Sequence, residues 1–555
     1  MAEELKITLA QLNPTVGNVH ENIACASFVY SQAEFLGTDL LVFPELFVSG
    51  YPPEDLVLKR AFLSRCAEGL DHLTRITNEG TSAILTGVPW RVDDKVYNAA
   101  AHLELGQLKD IYFKVLLPNY GPFEEKRTFN SGSSYKCIEV KGTKIGVLIC
   151  EDLWTKDASM RLANDGAELL IVLNSSPYCR DKYRRRMEVA TSRVKETNLP
   201  LIYLNQIGGQ DELVFDGASF GLQRDASLAF QLPAFEKRLA CVTHLGSGGG
   251  LSVHSRHTAC EAYPDKAEAN WHACVLGLRD YLRKNNYEKV VMGLSGGIDS
   301  SVVAAMCVDA VGSDNVHAVM MPYTYTSDQS LEDASACAAA LEISRYQIIP
   351  IDTVVNAIRN LSPDHRKEGI VEENIQARAR GTILMTLSNS TGAMLISTGN
   401  KSEISVGYCT LYGDMNGGFS PIKDLYKTEV YECARWRNAH SPYSDSISGQ
   451  VIPSEILEKA PSAELRPDQT DQDTLPPYHV LDDILLRLVE QDATVAELVD
   501  AGFDPVVTLH VQNLLYASEH KRRQSPPGVK VTECSFGRER RYPITNRFRE
   551  VLKQD

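Results

Sequence analysis

Residues 290–301 have the sequence Val-Val-Met-Gly-Leu-Ser-Gly-Gly-Ile-Asp-Ser-Ser, the strongest structural signal in the chain. The apolar run 290–294 predicts a buried parallel strand that ends at Ser295-Gly296-Gly297, where glycine lets the backbone approach a ligand closely. Ser300 is suited to begin the following helix, whose free N–H groups and positive dipole end would face the glycine turn. The sequence therefore predicts a strand, loop and helix that can hold a phosphate group.

This loop lacks the Gly-Lys-Ser/Thr ending of a Walker loop, so it is not the usual triphosphatase cradle. It resembles the Ser-Gly-Gly-x-Asp-Ser loop of the ATP pyrophosphatases, which split ATP into AMP and pyrophosphate. Asp299 would lie beside the phosphates as a Mg²⁺ ligand, because magnesium prefers one or two carboxylates together with phosphate oxygens. The alternative interpretation is a glycine-rich turn without a ligand.

Length and composition limit the class of protein. A chain of 555 residues exceeds what one hydrophobic core supports, so two or more domains are expected. The net charge of −16 argues against a nucleic-acid partner, and no apolar run is long enough to cross a membrane. The polar first residues show no signal peptide, and the thirteen cysteines form no Cys-x-x-Cys pair, so we expect reduced thiols and a cytoplasmic location.

In the N-terminal half, short apolar runs alternate with helical patterns, which predicts a mixed α/β domain with many strands. Glu45, Lys114 and Cys150 each follow such a run. Each residue by itself has an ordinary interpretation, since a cysteine after a buried strand is usually core and a charged residue there is usually solvated. The segments around them argue for a function.

Those segments are Phe-Pro-Glu-Leu, Phe-Lys-Val-Leu-Leu-Pro-Asn-Tyr and Cys-Glu-Asp-Leu-Trp, and they resemble the signature segments of the nitrilase superfamily. The resemblance implies an α-β-β-α sandwich with Glu45, Lys114 and Cys150 as a catalytic triad. Cys150 would attack an amide carbonyl after Glu45 takes its proton. Lys114 would favour the thiolate and stabilise the oxyanion.

The segment from Asn174 to Lys182 resembles the glutamine-recognition segment of the glutaminase branch of that superfamily. The resemblance implies that Tyr120, Ser176 and Lys182 hold the α-amino and α-carboxylate groups of glutamine. Glu125 or, equally by sequence, Glu124 would be a second supporting glutamate. We expect Arg184-Arg185-Arg186 to be a solvated helix face.

A glycine- and serine-rich segment between Gly246 and Pro264 predicts a boundary, which divides the chain into a glutaminase domain (1–250), a linker (251–266) and a second domain (267–555). In the second domain, strand-like runs alternate with helix-like runs. That alternation predicts a Rossmann-like, doubly wound parallel sheet with ligands at the carboxyl ends of its strands. Segment 441–477, rich in Ser, Asp, Gln and Pro, is a candidate lid.

Five further segments of the second domain resemble the NAD⁺ synthetases: 373–380, 397–403, 412–414, 427–431 and 461–465. With the nitrilase-like half in front, nearly the whole chain resembles the glutamine-dependent NAD⁺ synthetases of bacteria. The resemblance assigns ATP, Mg²⁺ and the deamidated dinucleotide to specific residues. ATP would contact Gly293, Leu294, Ser295, Gly296, Gly297, Ile298, Asp299, Ser300, Thr398 and Lys427, the last being the weakest candidate; Mg²⁺ would bind Asp299 and Glu403; deamido-NAD⁺ would contact Asn374, Glu403 and Lys521.

The implied reaction is amidation of deamido-NAD⁺ through an acyl adenylate, with ammonia released from glutamine and delivered through a closed tunnel. One alternative is an amidotransferase of the same ATP pyrophosphatase class acting on another carboxylate. Another alternative is a catalytically silent nucleotide-binding or ammonia-binding protein. The resemblance also implies a homo-oligomer.

Overall fold

The computed structural model describes residues 4–246, 248–253, 260–361 and 369–550. The chain separates into two units of similar size, Met1–Pro264 and Asp265–Asp555, called here the N-terminal and C-terminal units. Among the described residues, no helix combines the length and the apolar composition needed to cross a membrane.

The N-terminal unit is built from two large sheets flanked by helices. Two short 3₁₀ helices span Glu54–Leu58 and Cys150–Trp154. The strands and α-helices in chain order are β1 (Leu5–Gln11), α1 (Val19–Phe35), β2 (Leu40–Val42), α2 (Arg60–Ile76), β3 (Ala83–Val92), β4 (Lys95–Glu104), β5 (Gln107–Phe113), α3 (Glu125–Thr128), β6 (Cys137–Val140), β7 (Thr143–Ile149), α4 (Lys156–Asn164), β8 (Leu169–Asn174), α5 (Lys182–Thr197), β9 (Leu201–Asn205), β10 (Ile207–Gln210), β11 (Leu213–Asp216), β12 (Phe220–Leu222), β13 (Leu228–Gln231), β14 (Arg238–His244) and β15 (Leu251–Val253).

The two large sheets pack face to face. One has the strand order β15-β14-β1-β2-β3-β4-β5 and the other β13-β12-β9-β8-β7-β6. Alternating residues of β8 show why every position of a central strand is apolar: Leu169, Ile171 and Leu173 enter the core between the sheets, whereas Leu170 and Val172 pack under α4 and α5. Helices α1 and α2 cover the outer face of the other sheet in the same way. The expected α-β-β-α sandwich is confirmed.

The segment expected to be a linker, 251–266, begins with ordered structure. Residues Leu251–Val253 form β15 and pair with β14, so they extend the sheet of the N-terminal unit. Residues 254–259 lie outside the described residues. The two units divide between Pro264 and Asp265, and Asp265 caps the first helix of the C-terminal unit by accepting a hydrogen bond from Glu268 N–H.

The C-terminal unit contains one parallel sheet and many helices. Further 3₁₀ helices span Ser313–Asn315 and Asp471–Asp473. Its elements are α6 (Lys266–Lys284), β16 (Val290–Gly293), α7 (Ile298–Val311), β17 (Val316–Met320), α8 (Asp328–Ala340), β18 (Arg345–Ile348), α9 (Asp352–Leu361), α10 (Ile370–Thr391), β19 (Met394–Ile396), α11 (Lys401–Val406), α12 (Lys427–Ala439), α13 (Ser454–Glu458), α14 (Tyr478–Glu490), α15 (Val495–Asp500), α16 (Pro505–Ala517) and α17 (Glu519–Arg522).

The sheet of the C-terminal unit has the strand order β18-β17-β16-β19, and all of its pairs are parallel. On one face, Val291 packs with side chains of α9 and α10. Val290 and Met292 point to the opposite face and are also fully buried. Helices therefore cover both faces, and the expected doubly wound parallel sheet is confirmed. The strand order reverses between β16 and β19, which places the loop after β16 at a switch point of the sheet.

The loop between β16 and α7 has one residue in the left-handed backbone region. Gly296 has φ +77°, and a Cβ added there would lie 2.4 Å from the backbone oxygen of Ser330 in α8. At Gly297, the N-cap of α7, an added Cβ would meet only Ser295 Oγ at 3.4 Å. Gly296 is therefore required both by conformation and by close packing against α8.

We expect Gly296→Ala to lower the free energy of unfolding of the C-terminal unit by about 2 to 4 kcal/mol, from backbone strain and overpacking together. Gly297→Ala is the matched control and should cost about 1 kcal/mol or less. Urea denaturation of the full chain compares the two variants. Equal losses would show that the contact with Ser330 does not restrict residue 296.

Candidate active sites

The three residues predicted to form a triad lie at strand ends in the N-terminal unit. Glu45 follows β2, Lys114 follows β5 and Cys150 follows β7. Glu45 and Lys114 are fully buried, and Cys150 is 4% exposed. The sandwich therefore brings two strand ends of one sheet and one strand end of the other into a common enclosed centre.

The ammonium group of Lys114 lies between two carboxylates. Its Nζ is 2.7 Å from Glu45 Oε1 and 2.9 Å from Glu125 Oε1. Burial by itself would lower the pKa of Lys114, but Glu125 and Glu45 raise it well above its ordinary value, so the lysine is charged. Glu124 is not buried and pairs with Arg127 on the surface, so of the two glutamates it is Glu125 that contacts Lys114.

Both carboxylates have further hydrogen-bond donors. Glu45 Oε1 accepts from Asn98 Nδ2 at 2.8 Å, and Glu45 Oε2 accepts from the backbone N–H of Ser175 at 2.9 Å. Glu125 accepts from the hydroxyl of Tyr51 at 2.9 Å. Burial raises the pKa of Glu125 to about 7, with Lys114 opposing the shift, so Glu125 can carry a proton near neutral pH.

Cys150 is the first residue of the 3₁₀ turn 150–154 and has φ +45°, in the left-handed region that side chains other than glycine rarely adopt. Burial raises the pKa of its thiol well above the ordinary value, and the charge of Glu45 adds to the shift while Lys114 opposes it. The resting sulfur is therefore a thiol. It needs a base at the moment of attack, and Glu45 is the carboxylate with the largest electrostatic effect on it.

Asp152 connects the turn of Cys150 to the strand end of Lys114. Its Oδ1 accepts hydrogen bonds from the backbone N–H groups of Val115 at 3.1 Å and Leu116 at 2.8 Å. Burial raises the pKa of Asp152 to about 6, and these backbone donors oppose that shift. Asp152 was not among the residues predicted for the site, although it lies inside the segment Cys-Glu-Asp-Leu-Trp.

The residues expected to bind glutamine surround the same turn. The hydroxyl of Tyr120 donates to Glu151 at 2.8 Å, and Lys182 Nζ lies 4.5 Å from the ring centroid of Trp154. Burial lowers the pKa of Lys182, and the charge of Arg186 adds to this. The N–H of Ser176 donates to Asn205 Oδ1 at 2.9 Å. The preceding residue, Ser175, donates its N–H to Glu45.

One expectation about this region is wrong. Arg184 and Arg185 are exposed as expected, but Arg186 is 1% exposed and forms a buried ion pair with Asp216 at 2.8 Å. The helix period explains the error, because Arg186, Ala190 and Val194 are four residues apart and share the buried face of α5. That spacing was visible in the sequence.

A cavity of about 730 Å³ lies at the carboxyl edge of the sheet in the C-terminal unit. Of the residues expected to bind ATP, Mg²⁺ or the dinucleotide, Gly296 is not part of its wall, because it packs beneath Ser330. All the others line the cavity: Gly293, Leu294, Ser295, Gly297, Ile298, Asp299, Ser300, Asn374, Thr398, Glu403, Lys427 and Lys521.

Lys427 repeats, in the C-terminal unit, the arrangement of a lysine between two carboxylates. Its Nζ contacts Asp299 Oδ2 directly and is 2.9 Å from Glu403 Oε1. Asn400 Nδ2 donates to Asp299 Oδ1 at 2.8 Å. Burial raises the pKa of Glu403 to about 8, with Lys427 opposing and Asp299 adding to the shift. A cation already occupies the point that both carboxylates share.

Two other predicted contacts in this cavity, Lys521 and Asn374, already have protein partners. Lys521 Nζ donates to the backbone oxygens of Gly407 and Cys409, each at 2.7 Å. Asn374 Oδ1 accepts from Thr410 Oγ1 at 2.9 Å. These bonds hold α10, α17 and the chain after α11 around one wall of the cavity.

Two further cations line the cavity and were missed by the sequence analysis. Arg380 of α10 donates from Nε to the backbone oxygen of Met321 at 3.0 Å, and within the described parts of the chain it forms no ion pair. Burial lowers its pKa to about 10, which indicates a guanidinium with too little compensating negative charge. Lys459 bonds to Ser330 Oγ and lies 3.4 Å from Glu464. Arg380 ends the segment 373–380, so its position in that motif was the available signal.

The described residues contain no cluster of three or more His, Cys, Asp or Glu side chains suited to a metal ion. Asp299 and Glu403 share one position for a cation, next to the loop after β16. Two carboxylates are enough for Mg²⁺ when a nucleotide supplies the remaining oxygen ligands.

Together the two sites define an enzyme that combines a nitrilase-type amidase centre with an ATP-pyrophosphatase-type nucleotide site. Residues 6–244 match the carbon-nitrogen hydrolase family and residues 270–525 match the NAD synthase family. The chain is 46% identical to the glutamine-dependent NAD(+) synthetase of Rhodobacter capsulatus, over 99% of this chain and 100% of that protein. It is 40% identical to the protein of that name from Thermotoga maritima, over 99% and 100% of the two chains.

Among solved structures, the chain is similar to the glutamine-dependent NAD⁺ synthetase of Acinetobacter baumannii in complex with ADP. The TM-score is 0.78 with 39% identity, over 98% of this chain and 99% of that chain. The chain therefore belongs to the glutamine-dependent NAD⁺ synthetase family.

We expect Glu45→Gln to lower the pKa of the Cys150 thiol, because the charge of Glu45 raises it. Alkylation of Cys150 by iodoacetamide at pH 8 should then be up to about tenfold faster than in the parent protein, while glutamine hydrolysis is lost. Mass spectrometry measures the modification, with exposed Cys260 as an internal reference. Slower alkylation in the variant would contradict the electrostatic account of this centre.

Proposed function

We propose that this protein amidates deamido-NAD⁺ to NAD⁺, using ATP and ammonia released from L-glutamine, with AMP, pyrophosphate and glutamate as the other products. The observation that carries the proposal is the pair of centres on one chain. Lys114 bonds to Glu45 and Glu125 beside Cys150 in the N-terminal unit. In the C-terminal unit, the loop after β16 opens into a cavity large enough for nucleotides.

In the glutaminase half of this proposal, Glu45 takes the proton of Cys150 as the sulfur attacks the γ-amide carbonyl of glutamine. Lys114 stabilises the oxyanion of the tetrahedral intermediate, and because it is fully buried its charge acts in a medium that screens it weakly. Glu45 returns the proton to the leaving ammonia and then activates water against the thioester. Glutamate leaves, and the thiol is restored.

In the synthetase half, the nicotinate carboxylate attacks the α-phosphate of ATP, which forms an acyl adenylate and releases pyrophosphate. The N–H groups at the start of α7 and the loop before it are the proposed holders of the phosphates. Ammonia then attacks the acyl carbon, AMP leaves, and the amide of NAD⁺ remains. Thr398, Asn374 and Lys521 are the proposed contacts to the two nucleotide substrates.

Mg²⁺ is part of this proposal, with Asp299 and Glu403 as its protein ligands. When bound with ATP, it would offset the negative charge that accumulates on the pyrophosphate leaving group. The bonds of Lys427 to both carboxylates support the assignment, because they mark a position where positive charge is stabilised. Phosphate oxygens would complete the magnesium coordination.

We further propose that Arg380 holds an anionic group of the nucleotide substrates. Its guanidinium lines the same cavity as Ser295 and Asp299, and burial lowers its pKa to about 10. A buried guanidinium without an ion-pair partner is stabilised by a ligand that brings negative charge. Phosphate oxygens match the planar arrangement of its N–H donors.

The expected homo-oligomer and the cytoplasmic location belong to the same proposal.

Replacement of Cys150 by Ala should abolish NAD⁺ formation from glutamine and leave NAD⁺ formation from ammonium within about twofold of the parent protein. The reason is that free ammonia bypasses the glutaminase centre. Both rates are measured on one preparation with ATP, Mg²⁺ and deamido-NAD⁺. If both rates fell together, the proposed division of labour would be wrong.

Replacement of Arg380 by Met should impair the synthetase reaction and spare the glutaminase reaction. Synthesis from glutamine and from ammonium should both fall by about a hundredfold, since a cation at the phosphates is lost, while hydrolysis of glutamine alone persists. Arg345→Met is the control, because Arg345 is exposed on β18 and does not line the cavity. Unchanged synthesis in Arg380→Met would remove Arg380 from the proposed site.

A further inference from the structure

The last residues of the N-terminal unit are anchored inside it by an aromatic side chain. Tyr263, two residues before the cap of α6, stacks on Tyr183 with ring centroids 4.1 Å apart and planes at 8°. Its hydroxyl donates a hydrogen bond to Asp216 Oδ2 at 2.8 Å. The chain is therefore fixed to the interior of the N-terminal unit just before it enters the C-terminal unit.

Asp216 is fully buried and accepts several donors besides Tyr263. Arg186 Nη1 is 2.8 Å from Asp216 Oδ1 and 2.9 Å from Oδ2, and Asn205 Nδ2 is 3.3 Å from Oδ1. A carboxylate in this environment depends on its donors, because burial without them is costly. The hydroxyl of Tyr263 is one of these donors, and it comes from the end of the unit.

Arg186 carries the connection onward to the segment expected to bind glutamine. Its Nη2 donates to the backbone oxygens of Ser176 at 2.8 Å and Pro177 at 2.9 Å, and its Nε donates to Ser176 Oγ at 3.1 Å. The preceding residue, Ser175, donates its N–H to Glu45 Oε2. A continuous series of hydrogen bonds, buried from Asp216 onward, therefore runs from Tyr263 through Asp216 and Arg186 to the wall of the glutaminase centre.

We propose that Tyr263 is a positioning residue for glutamine binding: its hydroxyl holds Asp216 and Arg186 in place, and these hold Ser176 at the position where it meets the substrate. The proposal rests on the glutaminase activity proposed above. Tyr263 itself touches neither Cys150 nor the other triad residues, so it acts through Arg186.

The geometry also predicts which kinetic constant changes. Arg186 donates to the backbone oxygen and the hydroxyl of Ser176. Asn205, which also bonds to Asp216, accepts from the N–H of Ser176 and donates to the same oxygen, so displacement of Asp216 and Arg186 shifts a proposed substrate contact directly. Glu45 keeps its bonds from Lys114 and Asn98 whatever happens at Ser175. Loss of the Tyr263 hydroxyl should therefore weaken glutamine binding much more than it slows the chemical step.

The test is Tyr263→Phe in the full-length protein, which keeps the stacked ring and removes only the hydroxyl. We expect KM for glutamine to rise about tenfold, the effect of losing one hydrogen bond to a charged group, with kcat for glutamine hydrolysis within about twofold. Ammonium-driven NAD⁺ formation should be unchanged. A variant that only unfolds in part would instead show a lower kcat at unchanged KM.

Tyr183→Phe is the matched control, because it removes a hydroxyl from the other ring of the same stack. That hydroxyl bonds to Gln231 rather than to Asp216, so KM for glutamine should stay at the parent value.

An unchanged KM in Tyr263→Phe, or an equal rise in both variants, would overturn the proposal about Tyr263. The parent protein is assayed first for glutamine hydrolysis. If it hydrolysed no glutamine, the proposed function would fail, and that failure is distinct from equal KM values in parent and variant.

Discussion

The structure of the glutaminase centre depends on one buried ammonium group. Lys114 has no exposure to water and bonds to Glu45 and Glu125, so three ionisable groups are held where their charges are weakly screened. Removal of one partner from such a set typically costs about 3 to 5 kcal/mol, because a charge is left buried without compensation. Glu125, with its pKa raised to about 7, can hold a proton and so relieve the excess negative charge. Burial, with the charge of Glu45 adding to it and Lys114 opposing it, raises the pKa of Cys150 and keeps the resting sulfur a thiol.

The C-terminal unit uses a related arrangement on an unrelated fold. Lys427 bonds to Asp299 and Glu403, and burial again raises the pKa of one carboxylate, here Glu403 to about 8. The difference lies in the surroundings. The Lys114 group is enclosed by two packed sheets, whereas Asp299, Glu403 and Lys427 line a cavity of about 730 Å³. The enclosed lysine and carboxylates of the N-terminal unit keep the same ion pairs. Asp299, Glu403 and Lys427 lie beside a cavity, so a charged substrate that enters it can replace one of their ion-pair partners.

Much of the fold could be predicted from local patterns, because strands buried on both faces are continuous apolar runs bounded by turn residues. β8 and β16 are of this kind. The hairpin β10-β11 and the strand β15 were not anticipated, since strands of three or four residues carry little periodicity even when, as here, they pair regularly with a neighbour in sequence. Arg186 shows a different kind of error: its charge suggested solvent, although its spacing with Ala190 and Val194 placed it on the face of α5 that packs against β9 and β12.

The sequence by itself determined the two classes of chemistry in this chain, because a nucleophile with its acid–base partners and a glycine loop before a helix are recognisable from residue type and order. Tertiary structure decided the rest. It placed Glu125 rather than Glu124 beside Lys114, brought Asp152 to the strand end of Lys114, packed Gly296 under Ser330 instead of into the cavity, and joined Tyr263 to Ser176 through Asp216 and Arg186. These relations depend on distances between segments far apart in the chain, and such distances are set by how sheets and helices pack, which residue order does not encode locally.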